Sequence, residues 1–145
     1  MTGGVFYAAV TLTVPADNPN FVIDQRPGPG SGFIMYNRDK TTLYYTYDYS
    51  RTPFMIPKTV SRIYDAALVN VNAPITLQDG NASFIIENNM LLTSDRTRLV
   101  CCADKLASIM EYKAPGTVAR MDTGAFFNMW VYTGGGIPTS QPIRT

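Results

Sequence analysis

The chain of 145 residues contains one segment twice. Residues 57–70 read PKTVSRIYDAALVN, and residues 115–128, which begin 58 positions later (115 − 57), read PGTVARMDTGAFFN. Six of the fourteen aligned positions are identical and three more keep an apolar side chain, whereas chance would give about one identity. This repetition predicts a chain built from two equivalent structural units.

The match extends upstream of that segment. RDKTTL at residues 38–43 aligns with SDRTRL at 94–99, and NPNFVI at 18–23 aligns with NASFII at 81–86. The first copy also carries a longer insert, DQRPGPGSG at residues 24–32, where the second copy has ENN. The two copies therefore differ most in this insert and in the hairpin that follows it.

The repeat sets the expected domain organisation. A chain of this length fits a single domain, and we predict one repeat domain over residues 1–133, with composite units at about 11–70 and 74–128. Residues 134–145, GGGIPTSQPIRT, contain little that can be buried. They are predicted to form a flexible tail.

Each copy carries the pattern of a β-hairpin. FIMYNRDKTTLYYTY has strand-like segments on either side of Asp39, and MLLTSDRTRLVCCA has them on either side of Asp95. The doubled segment has another period, because apolar residues recur at helical spacing over residues 118–126. We expect a single helical turn there, held by packing because it is too short to be stable alone.

In this order the segments resemble the BspA-like leucine-rich repeats of bacterial cell-surface proteins, over roughly residues 11–128. Tyr64 or Asp122 stands where that family has a glycine after its Ile, and Lys40 or Arg96 replaces the glycine of the hairpin turn. The positions that match the family are Ile56, Pro57, Val60, Ile63, Ala67 and Leu68 in the first copy, Pro115, Val118, Met121, Ala125 and Phe126 in the second, and Asp39, Thr41, Asp95 and Thr97 in the two hairpin turns.

The resemblance implies a fold and a function. The fold would be a β-dominated α/β solenoid: a leucine-rich-repeat-like right-handed superhelix with short strands, inserted β-hairpins and short helical or 3₁₀ turns. The function would be that of a non-enzymatic cell-surface or secreted module, which recognises or adheres to a host or bacterial protein or a glycan.

Composition argues against several classes of partner. Charged residues are 16% of the chain and the net charge is +1, so no electrostatic footprint for nucleic acid is visible. No segment approaches the roughly 20 apolar residues that span a bilayer, so we expect no membrane insertion. The N-terminal run VFYAAVTLTV lacks the preceding Lys or Arg of a signal peptide and is interpreted as a strand.

Catalysis is poorly supported by the residue types. The chain has no histidine, the commonest general base. Asp39 and Asp95 occupy equivalent hairpin turns, where Asp is favoured for turn chemistry, and no Cys or Asp spacing suits zinc or calcium. We therefore expect no enzyme, no cofactor and no metal. The glycine-rich PGPGSG is interpreted as a loop rather than a phosphate cradle, and NAS at residues 81–83 fits either a glycosylation sequon or a turn.

Cys101 and Cys102 are adjacent, so a disulfide between them would be strained. Neighbours on a strand point to opposite faces. We expect one buried thiol and one partly exposed thiol, with a reactive dithiol as the less favoured alternative.

The candidate binding residues are aromatic. LYYTYDYS places Tyr45, Tyr47 and Tyr49 on one strand face with Leu43, and Tyr44 on the other. Exposed tyrosines suit recognition, although these rings could instead cover the hairpin and the neighbouring repeat.

Two further aromatic residues, Trp130 and Tyr132, follow the second copy. They are candidates either for binding, for an end cap or for contact with a further repeat. The sequence therefore favours a recognition or adhesion module. The alternative is a structural spacer or assembly unit of a larger surface protein, and an enzyme comes third.

Overall fold

A computed structural model describes residues 12–28, 31–107, 109, 111–126, 131–132 and 138–139, which form short strands joined by turns. The strands are β1 Phe21–Gln25, β2 Gly32–Asn37, β3 Thr42–Asp48, β4 Phe54–Ile56, β5 Arg62–Ile63, β6 Ile75–Leu77, β7 Phe84–Glu87, β8 Met90–Thr93, β9 Arg98–Cys102, β10 Arg120–Met121, β11 Val131–Tyr132 and β12 Pro138–Thr139.

The strands form four separate sheets. The first sheet has the order β1-β2-β3-β5 and the second has the order β7-β8-β9-β10. In each, three antiparallel strands are followed by one short strand that pairs in parallel. Two small sheets, parallel β4-β6 and antiparallel β11-β12, complete the described part of the chain.

The first and second sheets share their irregularities as well as their strand order. The β2–β3 register shifts between Met35 and Tyr36, and the β8–β9 register shifts between Leu91 and Leu92, 56 positions later (91 − 35). Each shift is a β-bulge that adds one unpaired residue, Tyr44 in β3 and its equivalent in β9. The same bulge thus bends both sheets at the same place.

The residues that recur in the sequence make recurring contacts. The hydroxyl of Thr59 donates to the carbonyl of Lys40 at 2.7 Å, and the hydroxyl of Thr117 donates to the carbonyl of Arg96 at 2.7 Å. Lys40 and Arg96 both adopt a left-handed conformation, with φ of 54° and 60°. The threonine shared by the two copies of the doubled segment therefore ties the tip of each hairpin to the segment that leads into the following parallel strand.

Buried side chains form two hydrophobic clusters, one on each face of the second sheet. The central core is formed by Ile34, Tyr36, Leu43, Phe54, Ile56, Val60, Ile63, Ala67, Leu68, Val71, Ala73, Ile75, Phe84, Leu91, Val100 and Cys101. The second core is formed by Met90, Leu92, Leu99, Cys102, Ala125 and Phe126.

The predicted solenoid is wrong. The structure is all-β: its described residues contain no helix, and their parallel pairing is limited to three separate strand pairs of two or three residues each and one isolated bridge between Asp48 and Val71. Antiparallel hairpins form the body of both large sheets, so no continuous parallel sheet runs along the molecule. Both predicted hairpins are present, with Asp39 and Asp95 in their turns.

The predicted helical turn is also wrong, for a local reason. Residues 123–126 form hydrogen-bonded turns, and Gly124 has a φ of 70°. Ala66, its equivalent in the first copy, has a φ of 64°. A left-handed residue at this point stops a right-handed helix, although the apolar spacing fits one. The described residues accordingly contain no helix that could cross a bilayer.

These two equivalent positions yield a stability prediction. Ala66→Gly removes the steric cost that an L side chain has in the left-handed conformation. Glycine also has a larger conformational entropy in the unfolded chain, which offsets part of this gain, so we expect a net stabilisation of about 0.5–1 kcal/mol. Gly124→Ala creates the same strain and should destabilise the protein by about 1 kcal/mol. Urea unfolding of both variants measures the two effects, and changes of the same sign would contradict this account.

Asn81 and Asn18 provide a matched pair for a second prediction. Each side-chain oxygen accepts two backbone N–H groups, from Ser83 and Phe84 or from Asn20 and Phe21. The amide of Asn81 also donates to two carbonyls of the first copy, those of Pro57 at 3.0 Å and Val60 at 3.1 Å.

Asn81→Asp keeps both acceptor bonds and loses both donor bonds, so we expect a loss of about 2 kcal/mol in the free energy of unfolding. Asn18→Asp keeps its acceptor bonds and should change stability by less than about 0.5 kcal/mol. Chemical denaturation of the two variants side by side measures the difference. Equal losses would show that the contacts of Asn81 with Pro57 and Val60 contribute nothing.

Candidate functional site

The outer face of the first sheet carries a row of aromatic rings, which we call the tyrosine face: Phe33, Tyr45, Tyr47 and Tyr49. Phe33 pairs across the strands with Tyr47, and their rings stack with centroids 5.6 Å apart. The rings of Phe33 and Tyr45 lie 6.2 Å apart, and those of Tyr47 and Tyr49 meet edge to face at 4.9 Å. Such contacts fix the rings relative to one another.

Exposure is unequal along this face. Phe33 is 6% exposed because the tyrosines cover it, whereas Tyr45 is 39% and Tyr49 is 43% exposed. The hydroxyl of Tyr45 accepts a hydrogen bond from the Asn70 amide at 3.4 Å. The face is therefore apolar below and carries hydroxyl groups at its rim.

The corresponding face of the second sheet is buried. Leu91 and Cys101 occupy the positions of Met35 and Tyr45 (91 − 35 = 101 − 45 = 56), and both belong to the central core that contains the inner face of the first sheet. The tyrosine face of the first sheet thus corresponds to the face of the second sheet that packs against the central core. Tyr45 and Tyr47, larger rings with polar tips, stand where the second copy has Cys101 and Ala103.

One residue of the predicted face is misplaced. Leu43 is fully buried and lies on the opposite face from Tyr45, because the bulge at Tyr44 reverses the alternation between them. The ring of Tyr44 instead contacts Phe21 at 5.6 Å and Tyr64 at 4.8 Å, both edge to face. A strict two-residue period cannot reveal a bulge.

The other two predicted binding residues are not brought to this face by any described contact. Trp130 lies outside the residues that the structure describes. Tyr132 belongs to β11, which pairs with β12. Their assignment stays a prediction.

Several residues that the sequence analysis considered for function stabilise turns through hydrogen bonds. A single oxygen of Asp95 accepts hydrogen bonds from the hydroxyl groups of Thr93 and Thr97, both at 2.7 Å, and from the Thr97 amide at 3.1 Å. The hydrogen bonds from Thr97 and Thr93 lower the pKa of the Asp95 carboxyl group. Asn81 uses both atoms of its amide in the contacts described above, so a turn role accounts for its sequon.

The glycine-rich insert has a steric requirement of its own. Gly32 begins β2 with a φ of 124°, and a Cβ atom there would lie 1.7 Å from the carbonyl oxygen of Tyr47. Only glycine fits this close approach. Its presence thus follows from strand pairing rather than from a phosphate site.

Both cysteines are buried, contrary to the expectation that one is partly exposed. Cys101 is 3% exposed and Cys102 is fully buried, because β9 lies between β8 and β10 and is covered on both faces. Burial raises the pKa of the Cys101 thiol to about 12 and also raises the pKa of Cys102. Thiolate nucleophiles are therefore strongly disfavoured at neutral pH.

This burial predicts slow thiol chemistry. At pH 8 a thiol-specific reagent should label neither cysteine rapidly in the folded protein, whereas both should react at once in denaturant, where thiols have their ordinary pKa of about 8.5. The free energy of unfolding should also fall as the pH rises from about 8.5 towards about 12, because the unfolded chain loses these protons first. Rapid labelling of the native protein at pH 8 would contradict the burial of both thiols.

The structure also reveals ionic contacts that the sequence did not indicate. Arg26 of the insert lies 3.1 Å, Nε to Oδ2, from the fully buried side chain of Asp48, at an angle that makes no hydrogen bond. The same arginine donates to the Thr52 carbonyl at 2.5 Å and lies 5.4 Å from the ring centroid of Phe54. Lys105 is almost entirely buried, donates to the carbonyl of Val69 at 2.7 Å, and has its pKa lowered by burial.

A second unpredicted feature is a groove of about 230 Å³ lined by arginines. Two of them, Arg62 and Arg120, occupy the same position in the doubled segment (120 − 62 = 58). They form the only charged pair among the six identical positions of that segment, and this was the signal that could have drawn attention to the groove.

Comparison with known proteins gives one partial likeness. No family model and no curated protein matches the chain. Among solved structures it is similar to the crystal structure of the pneumococcal vaccine antigen PcpA, with 19% sequence identity and a TM-score of 0.47, over 53% of this chain and 19% of that one. A likeness at this level carries no argument, and the resemblance to the BspA-like family stays a prediction.

Proposed function

We propose that this protein is a non-catalytic recognition module whose tyrosine face binds the surface of another protein. The observation that carries the proposal is the equivalence between this face and the packed face of the second sheet. In the second copy that position is covered by protein; in the first copy it presents half-exposed rings. Rigid aromatic area with polar tips is enriched in protein interfaces.

The geometry of the face supports this use. Its rings are already held by one another, so a partner would not need to order them on binding. The two cysteines and Asp95 were among the residues that the sequence offered for chemistry. The thiols are buried and Asp95 holds a hairpin turn, so each has a structural role. The cell-surface or secreted location stays a prediction.

Assembly with other units of the same kind is the second candidate function. It is favoured by the same equivalence, because the packed face of the second sheet is covered by the inner side of the first sheet. A partner that presents such a β-sheet surface would fit the tyrosine face in the same way. This reading corresponds to a structural or assembly unit of a larger protein.

The test uses two variants and a control. Tyr45→Ala/Tyr47→Ala removes the rings, and Tyr45→Lys/Tyr47→Lys keeps aliphatic cover over Phe33 while adding charge to the face. Met55→Ala removes another exposed apolar side chain, 55% exposed and located in β4, outside the tyrosine face. Protein and glycan arrays measure recognition, sedimentation velocity measures self-association, and thermal unfolding measures stability.

We expect both tyrosine variants to lose protein-array binding by about tenfold or more, with the lysine variant retaining its melting temperature and Met55→Ala binding normally. Loss of self-association instead of array binding would favour the assembly unit. Blank protein and glycan arrays without self-association would rule out both functions. A loss of stability in both tyrosine variants with binding intact would show that the rings only cover the sheet.

A further inference from the structure

A second surface, distinct from the tyrosine face, has the properties of an anion site. The arginine groove is lined by Arg62, Ile63, Tyr64, Asp65, Arg98 and Arg120. It lies where the short parallel strands β5 and β10 pair with β3 and β9. Three guanidinium groups converge there, in a chain whose net charge is only +1.

Arg98 is fixed at the floor of the groove. It binds both carboxylate oxygens of Asp122, at 2.8 and 2.6 Å, and donates to the carbonyl of Ile63 at 2.6 Å. The Asp122 side chain is fully buried, and these hydrogen bonds raise the pKa of Arg98. Arg98 and Asp122 thus form a neutral, rigid pair that joins the two copies.

Arg62 and Arg120 are the accessible charges of the groove. The guanidinium carbon of Arg62 lies 5.1 Å from the ring centroid of Tyr64, whose own ring is held edge to face by Tyr44. Nε of Arg120 lies 3.7 Å from Asp122, and the Arg120 side chain is 59% exposed. The cation–π contact holds Arg62 beside Tyr64, and both arginine residues are exposed to solvent.

The carboxylates of the groove do not cancel this charge. Asp122 is taken up by Arg98, and one oxygen of Asp65 accepts the backbone amide of Thr123 at 2.9 Å. Hydrogen bonds from Thr123 lower the pKa of Asp65, so it remains ionised. Three guanidinium groups against two carboxylates leave the groove with one net positive charge.

We propose that the groove binds the carboxylate or sulfate group of an acidic saccharide between Arg62 and Arg120. Guanidinium groups bind planar and tetrahedral oxyanions through paired hydrogen bonds. A volume of about 230 Å³ admits one sugar ring, and Tyr64, 43% exposed, presents a hydroxyl and a ring edge beside the charges. A single excess charge is too small for the phosphate backbone of a nucleic acid, which requires a broad basic surface.

The experiment titrates the intact protein with three polymers: oligogalacturonate, which is carboxylated, dextran sulfate, and neutral dextran. Isothermal titration calorimetry at fixed ionic strength measures binding. Arg62→Gln/Arg120→Gln removes the two accessible charges and leaves the pair of Arg98 and Asp122 in place. Arg38→Gln/Lys113→Gln removes two exposed charges elsewhere and lowers the net charge by the same amount.

We expect at least one acidic polymer to bind, neutral dextran not to bind, and the groove variant to bind about tenfold more weakly than the control variant. Oligogalacturonate binding identifies the ligand group as a carboxylate, and binding of dextran sulfate alone identifies it as a sulfate. Equal weakening in both variants would overturn the proposal, since it would show only non-specific attraction. Binding of neutral dextran, or of no polymer at all, would overturn it as well.

Discussion

The burial of residues 90–92 in β8 and residues 99–102 in β9 on both faces of the second sheet is the constraint on which the rest of the structure depends. Leu91 and Cys101 face the central core, while Leu92, Leu99 and Cys102 face the second core. A strand covered on both faces cannot alternate apolar and polar residues, which is why the sequence runs MLL and LVCC without interruption. The same burial removes both thiols from solvent, and it places the two copies in contact through the inner face of the first sheet.

The inner face of the first sheet packs against the second sheet, so within the described residues only its outer face is left exposed. Its outer face is the tyrosine face, where Tyr47 and Tyr45 cover Phe33 and keep their hydroxyl groups at the rim. The longer insert of the first copy serves the same sheet from another side: Arg26 pairs with the buried carboxylate of Asp48 at the end of β3. The insert and the first hairpin, in which the copies differ most, therefore both contribute to the first sheet. This is the sheet whose outer face is not covered by another sheet of the described strands.

The sequence predicts those parts of the fold that local chemistry determines. Both hairpins, with Asp39 and Asp95 in their turns, follow from strand-like residues on either side of a polar turn. The bulge at Tyr44 leaves no trace in a pattern of alternating residues, so Leu43 was assigned to the wrong face. The helical spacing of residues 118–126 is real, but a left-handed Gly124 interrupts it, and apolar spacing carries no information about the sign of φ. Both cysteines are buried because β9 pairs with β8 on one side and with β10 on the other, and is covered on both faces. This arrangement depends on residues distant in the sequence, so the residues next to the cysteines do not reveal it.

The two proposed binding surfaces are connected through the bulge of the first copy. Tyr44, the extra residue in β3, touches Phe21 on one side and Tyr64 on the other, and Tyr64 in turn carries Arg62 over its ring. In the second copy the equivalent of Tyr44 is Val100 (44 + 56), which is buried in the central core. A bulge that merely bends the second sheet thus supplies, in the first, the ring that positions Tyr64 and Arg62. The asymmetry that leaves the tyrosine face exposed also builds one side of the arginine groove.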